Sequence, residues 1–248
     1  MIMPYLEGKR ALVTGGSRGI GAAIAVALAE AGADVAISYE HAADRAQGIV
    51  AKIKAKGRRA LAVQASAADP TAVRALVDKT AEAFGGLDIL VNNVGTSRVG
   101  PLAEMSLEDI DTLLNVNLRG AILTVQAAIP LLSDGGRVIL IGSNVAERVP
   151  FPDLTLYATT KSAQLALTRG LAHELAPRNI TVNVVQPGPI DTELNPADGP
   201  AFELNRGFTA LKRYGTVDEI AAAVVFVASP GAAFMTGSAL TVDGGFNA

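Results

Sequence analysis

The sequence predicts an α/β protein, a doubly wound parallel sheet of seven strands flanked by helices on both faces. Three observations carry that prediction. Short β-branched or aliphatic runs alternate with longer amphipathic segments along the chain, the pattern of strand–helix–strand units joined by right-handed crossovers. The short runs are continuously apolar, as strands covered on both faces must be. No linker-like stretch or internal repeat interrupts the pattern, so residues 1–248 read as one domain.

The elements follow in order. A strand over 10–14 (RALVT) leads through a glycine-rich turn into a helix over 19–31, which Gly32 stops. A strand over 34–39 precedes a helix over 43–56, stopped by Gly57, and a strand over 59–64 follows. Asp69-Pro70 opens a helix over 70–84, since Asp caps a helix start and Pro suits its first turn; Gly85 ends it. Then come a strand over 88–93, a helix over 108–132, a strand over 137–142, a helix over 156–176 and a strand over 180–186. The last pair is a helix over 216–228 and a strand over 239–242. Residues 188–215, rich in Pro and Gly with two phenylalanines, exceed an ordinary connection and read as a substrate loop.

Composition narrows the function. Half the residues are hydrophobic and 18% are charged, enough for a large core. A net charge of −3, 4% aromatics and no basic run argue against a nucleic-acid partner. Zero cysteines exclude disulfides and thiolate metal sites. The N-terminal stretch MIMPYLEGKR has no apolar leader-like core, and no apolar run reaches the ~18 residues of a membrane span. The expectation is a cytoplasmic protein away from membranes.

The loop VTGGSRGIG (13–21) follows a strand and opens a helix, where first-turn N–H groups and the helix dipole favour a phosphate. Its glycines spell neither G-x-G-x-x-G nor the nucleoside-triphosphate loop, which needs G-K-[ST]. They fit T-G-x-x-x-G-x-G, with Thr14, Gly15, Gly19 and Gly21. By itself this fits a phosphate cradle or a tight turn equally well. Further motifs decide: NNVG (92–95) ends the fourth strand, Asn117 ends NVN, Ser143 closes the fifth strand, Tyr157 stands four residues before Lys161, and PGPIDT (187–192) follows the sixth strand. In these motifs the chain closely resembles the short-chain dehydrogenase/reductase superfamily, over essentially its whole length through TVDGG (241–245). It is similar to the 3-oxoacyl-carrier-protein reductase type and most of all to the bacterial biofilm-dispersal branch.

The resemblance implies a Rossmann fold and NAD(P)-dependent interconversion of a carbonyl and an alcohol, with Asn117, Ser143, Tyr157 and Lys161 as the catalytic set. Residue chemistry agrees. Tyr157 and Lys161, at i and i+4, share a helix face. A free tyrosine, pKa ~10, is a poor acid or base near neutrality; a nearby ammonium is expected to draw it down. Ser143 can donate to an oxygen that gains charge. In the family, Asn117 holds a water linking Lys161 to solvent, and Lys161 grips the nicotinamide ribose. Ser143 does not stand in a G-x-S-x-G (its surroundings are IGSNV), which argues against a hydrolase nucleophile there. His41 and His173 cannot build a metal cluster, and His173 reads as a helix-surface residue.

The family's cofactor positions fall on Gly15, Ser17, Arg18, Gly19, Ile20 and Gly21 of the loop, and on Tyr39, Glu40 and His41 after the second strand. Others are Ser66 and Ala67, then Asn93, Val94 and Gly95, then Tyr157 and Lys161, and finally Pro187, Gly188, Ile190 and Thr192. NAD-using members carry an acid where Tyr39 stands. Tyr39 there and Arg18 in the loop imply NADP(H), because a guanidinium matches a phosphate; Glu40, about 20 residues past the glycines, keeps NAD(H) as the alternative. Ser66 replaces an aspartate that relatives use to contact adenine.

The expected substrate cleft runs past Val94, residues 144–151 and the 188–215 loop with Leu194, Phe202 and Phe208. Glu147 and Arg148 are expected to hold their loop together by hydrogen bonds. Pro130 and His173 stand where carrier-protein reductases of the family present arginines, which argues against that partner. The helix over 108–132 is apolar nearly all round, and that over 156–176 is rich in Ala and Leu; both suit an isologous interface, matching the family's homotetramer. The other reading is a nucleotide-binding regulator, as discussed for the cyclic-dinucleotide-binding, biofilm-dispersal branch.

Overall fold

Seven strands pair in parallel: β1 (Arg10–Val13), β2 (Asp34–Tyr39), β3 (Ala60–Gln64), β4 (Leu87–Asn92), β5 (Leu132–Ile141), β6 (Thr181–Pro187) and β7 (Ala239–Val242). This computed structural model describes residues 5–248, so positions 1–4 of the N-terminal stretch considered above lie outside the described residues. The spatial order is β3-β2-β1-β4-β5-β6-β7. The winding therefore reverses between β1 and β4, and in such sheets ligands bind beyond the carboxyl ends of the strands at that reversal.

Around the sheet lie α1 (Gly19–Glu30), α2 (Ala43–Ala55), α3 (Pro70–Phe84), α4 (Leu107–Leu113), α5 (Gly120–Ala128), α6 (Thr155–Leu175), α7 (Phe202–Phe208) and α8 (Val217–Ala228). Successive strand residues point to opposite faces. Val13, Ile37, Val91 and Ile139 thus meet Ile24 and Leu28 of α1 and Val224 of α8 on one side. Leu12, Leu90, Val138 and Leu140 meet Leu76 of α3, Val125 of α5 and Leu171 of α6 on the other. Each such buried side chain contributes about 1.5–3 kcal/mol, so two apolar layers, not local propensity, hold the strands. This is why they read as unbroken apolar runs.

The helix starts differ in a way that matters for the site. Asp69 caps α3 through the amides of Thr71 and Ala72, Ser106 caps α4 through Asp109, and Thr216 and Glu219 form a capping box on α8. The start of α1 has neither a side-chain cap nor an acid in its first turn.

Two expectations need correction. The helix expected over 108–132 is unbroken from Leu107 to Ala128 but not uniformly α-helical: a π-helical segment, Leu114–Arg119, which contains Asn117, joins α4 to α5. A Cβ on Gly120 would lie 2.5 Å from the Ala67 carbonyl oxygen, so α5 is pressed onto the loop after β3 and the helix must widen to reach it. The helix also ends at Ala128, because Leu132 already pairs with Leu87 at the start of β5. The 188–215 segment is partly ordered: it contains α7, and Ile190 bridges to Gly215.

Candidate active site

The turn between β1 and α1 is locked from beneath. Gly15 N–H donates to Ser38 Oγ at 2.9 Å and Gly16 N–H to the Ser38 carbonyl at 2.9 Å. A Cβ on Gly21 would strike the Gly15 carbonyl, and Gly19 has φ +53, so both positions need glycine. Thr14 Oγ1 accepts from the amides of Asn93 (2.9 Å) and Val94 (3.1 Å), and Asn93 Nδ2 donates to the Thr14 carbonyl at 2.9 Å. Asn93 thus clamps the β1 and β4 loops together across the winding reversal. Its amide serves the protein, and only its neighbours Val94 and Gly95 face the cleft. The open N–H groups at the uncapped start of α1 fit an anionic phosphate.

Contacts lead directly from this loop to the expected catalytic set. A Cβ on Gly15 would lie 2.9 Å from Val94 Cγ2, and one on Gly95 3.3 Å from Lys161 Nζ. Lys161 is buried on α6, donates to the Ile141 carbonyl at 2.9 Å, and lies 5.9 Å from the ring centre of Tyr157. Buried Ser143, just past β5, accepts weakly from Val145 N–H at 3.4 Å. Asn117, fully buried, pairs reciprocally with Thr96: Thr96 N–H donates to Oδ1 and Nδ2 donates to the Thr96 carbonyl, both at 2.8 Å. The four residues therefore share one region.

Their charge states differ from the sequence expectation. Burial lowers Lys161 to about 8, because an ammonium without water is disfavoured. Burial also raises the Tyr157 phenol, against the smaller opposing effect of the neighbouring Ser143 hydroxyl. The spacing alone implied that the ammonium draws the phenol down. In the protein by itself desolvation decides the direction, and Lys161 is directed at the Ile141 carbonyl.

Two polar residues that the sequence reading missed complete this region. Thr160 Oγ1 accepts from Asn117 Nδ2 at 3.1 Å, and Gln164 Nε2 donates to the Asn117 carbonyl at 3.0 Å. With Tyr157, Lys161 and Thr168 they form a polar stripe at helical spacing, and all but Tyr157 are fully buried. Polar residues where a core stripe belongs are the signal that could have found them.

The cleft beside the set has a volume of about 740 Å³ and is lined by Arg18, Glu40, Ser66, Val94, Gly95, Thr96 and Val116 among others. Ser66 and Ala67 also line a small recess beneath it, with Thr14 and Ser38. Tyr39 is half-buried at the end of β2, Ser17 and Ile20 are half-exposed in the loop, and Gly188 packs on Asp243. His41 is 89% exposed beside Glu40, outside the cleft. Pro187 is buried and Ile190 packs in the core. Thr192 lies beside the glycine loop, its methyl 3.7 Å from where a Cβ on Gly19 would stand. Among the described residues no cluster of metal-binding side chains exists.

On the substrate side, Phe208 stacks between Phe151 (5.8 Å) and Phe246 (5.3 Å), joining α7, the loop after β5 and the C-terminal tail. Phe202, expected in the cleft, packs on Tyr214 at 5.1 Å instead, and Leu194 is 69% exposed. The amides of Glu147 (3.2 Å) and Arg148 (3.5 Å) donate to the Asn144 carbonyl within their own loop, while the Arg148 side chain donates to the Phe246 carbonyl of the tail at 3.2 Å. Glu147, Pro130 and His173 are exposed.

Residues 15–247 match the family model described as enoyl-(acyl carrier protein) reductase. The chain belongs to the short-chain dehydrogenase/reductase family. It is 56% identical, with a TM-score of 0.97, to a short-chain dehydrogenase from Burkholderia cenocepacia solved in complex with NADP, covering 98% of this chain and 100% of that one. It is 41% identical over 246 residues to the cyclic-di-GMP-binding biofilm dispersal mediator protein of Escherichia coli, covering 99% of this chain and 100% of the relative. It is 39% identical over 241 residues to the 3-oxoacyl-[acyl-carrier-protein] reductase of Staphylococcus aureus, covering 96% and 97%. This short-chain dehydrogenase/reductase has the family's doubly wound Rossmann fold. Among its described residues no helix is long and apolar enough to cross a membrane.

Proposed function

We propose that this short-chain dehydrogenase/reductase interconverts a carbonyl and an alcohol with NADP(H), with Tyr157 as general acid and base. The observation that carries the reading is the meeting of Ser143, Tyr157, Lys161 and Asn117 beside an uncapped, glycine-lined helix start. NADP in the Burkholderia relative and Arg18 in the loop support the cofactor. When bound, the nicotinamide supplies or accepts the hydride.

The chain's own groups handle the proton and the charge. Burial keeps the Tyr157 phenol protonated, the form that donates its Oη proton to a substrate oxygen during reduction. The Ser143 hydroxyl donates to the same oxygen as charge develops; one such donor is worth about 10²–10³ in kcat. Lys161, lowered to about 8, can return a proton toward Tyr157 near neutral pH, and Asn117 fixes the surrounding backbone. In the oxidising direction Tyr157 Oη takes the alcohol proton after passing its own phenolic proton to neutral Lys161, the form that prevails above about 8. A carbonyl panel with NADPH, repeated on Tyr157→Phe, tests this: turnover should fall by at least about 10³-fold, and turnover that survives would discredit the mechanism.

The likeness to the Escherichia coli protein supports a second reading, cyclic-dinucleotide binding. Calorimetric titration with cyclic-di-GMP, together with absence of turnover across the panel, would favour it. We also infer a cytoplasmic homotetramer. Leu114 (36% exposed) and Ile122 (42%) on the α4–α5 segment, with Phe226 (49%) and Phe234 (105%) near the C-terminal strand, leave apolar surface for a second copy. A monomeric mass by light scattering would contradict this.

A further inference from the structure

Two guanidinium groups reach one carboxylate beside the glycine loop. Arg18 ends 3.6 Å from Glu193, and Arg45, in the first turn of α2, lies 2.6 and 2.7 Å from the two Glu193 oxygens. Arg45 belongs to no motif; only the fold brings it beside Arg18. The side chains are 64%, 54% and 56% exposed for Arg18, Arg45 and Glu193. Exposed ion pairs hold their partners weakly, so Glu193 is a replaceable occupant of this two-arginine position.

The backbone of Glu193 is nevertheless fixed. Thr192 and Asn195 exchange main-chain hydrogen bonds at 3.3 and 3.0 Å, which sets Glu193 on a tight turn. The Thr192 methyl would lie 3.7 Å from a Cβ on Gly19. The carboxylate is thus presented to the arginines by the 188–215 loop and needs only a side-chain rotation to leave them.

We propose that Arg45 joins Arg18 in holding the 2′-phosphate of NADP(H), and that Glu193 fills that position when no phosphate is bound. The inference rests on the cofactor reading above. A phosphomonoester carries nearly two charges and three acceptor oxygens, so it can engage both guanidinium forks and displace a single carboxylate. NAD(H) brings no such group and leaves Glu193 in place. Glu193 is therefore an internal competitor that lowers affinity for the phosphorylated cofactor, and phosphate binding frees the substrate loop from α2.

The test is calorimetric binding of 2′,5′-ADP, NADPH and NADH to the full chain, with no turnover required. Arg45→Gln should weaken 2′,5′-ADP about tenfold and lower the NADPH-to-NADH affinity ratio by the same factor. Glu193→Gln should tighten 2′,5′-ADP about threefold, by removing both the competitor and its repulsion of the phosphate. If the wild type binds 2′,5′-ADP but Arg45→Gln leaves that affinity unchanged, the inference fails while the cofactor reading stands. If Glu193→Gln weakens 2′,5′-ADP, Glu193 orients the arginines and the competitor role is overturned. A wild type that binds neither 2′,5′-ADP nor NADPH overturns both readings.

Discussion

Gln164 donates its side-chain amide to the main-chain carbonyl of Asn117 at 3.0 Å, tying the middle of α6 to the π-helical segment between α4 and α5. Gln164 is 3% exposed, and its Oε1 meets no protein partner. An ionised carboxylate at this position would have no proton to donate and would face the carbonyl oxygen directly. Gln164→Glu should therefore cost about 3 kcal/mol at pH 8. Its folded pKa would be raised above the unfolded ~4.3, so the native state binds more protons between the two values. The penalty is full above the folded pKa and vanishes as pH falls to the unfolded one. Urea unfolding at pH 8 and pH 5 checks this; a gap to wild type that widens on acidification contradicts it. Gln164→Leu also removes the unpaired Oε1 and should cost only about 1 kcal/mol.

Lys161 gives a prediction of opposite sign. Its ammonium is lowered by burial from 10.5 to about 8, so below that value the folded state carries a charge it would better shed. The unfolded chain binds more protons than the native one between pH 8 and 10.5, and this contribution to stability rises with pH across that window. Lys161→Met removes the buried charge and forfeits the hydrogen bond to Ile141. The variant should be more stable than wild type at pH 7 by about 2 kcal/mol. The difference should shrink as pH rises toward 10.5. Thermal unfolding at pH 7 and pH 9.5 decides; an advantage that grows with pH refutes the assignment.

Glycines in this chain should divide sharply by what surrounds them. A Cβ on Gly21 would overlap the Gly15 carbonyl and lie 2.5 Å from Asn93 Nδ2, both parts of the clamp under the cofactor loop. Gly21→Ala should destabilise by about 2–4 kcal/mol, as overpacking against backbone cannot relax cheaply. Gly48, exposed on α2 with nothing within 4 Å, should respond the other way. Gly48→Ala is expected to stabilise by about 0.5–1 kcal/mol through helix propensity and reduced unfolded-state entropy. Equal effects at the two positions would show that the loop yields to the added methyl.

The sequence revealed most where one local rule governs. Burial on both faces makes β1, β2 and β4 unbroken apolar runs, and the i, i+4 spacing sets Tyr157 and Lys161 on one face of α6. The π-helical turn inside 108–132 was not legible, because apolar residues all round the segment give no phase to lose, and the close approach of Gly120 to the distant Ala67 carbonyl is visible only in the fold. Phe202 and Phe208 look alike in sequence, yet one packs on Tyr214 and the other between Phe151 and Phe246. The direction of the Tyr157 shift also lay beyond spacing, since it depends on how completely the fold removes water from the phenol. Arg45 carries no pattern at all until α2 turns it toward Glu193.

The aromatic row predicts a coupling between distant segments. Phe208 is the middle ring, touching Phe151 of the loop after β5 and Phe246 of the tail, while Asn247 Nδ2 donates to the Asn144 carbonyl at 2.8 Å. Each aromatic contact is worth about 0.5–1.5 kcal/mol beyond its buried area. Phe208→Ala breaks both contacts, so it should loosen α7, residues 144–151 and the tail together while leaving the sheet intact. Backbone hydrogen exchange reads this directly: opening should become about tenfold easier in all three segments, with β4 and β5 unchanged. Because Phe151 and Phe208 belong to the segments expected to line the substrate cleft, KM for a carbonyl substrate should rise more than kcat falls. An exchange change confined to α7 would show that the three segments are held independently, and that each loop's own hydrogen bonds, such as Arg148 to the Phe246 carbonyl, suffice without the stack.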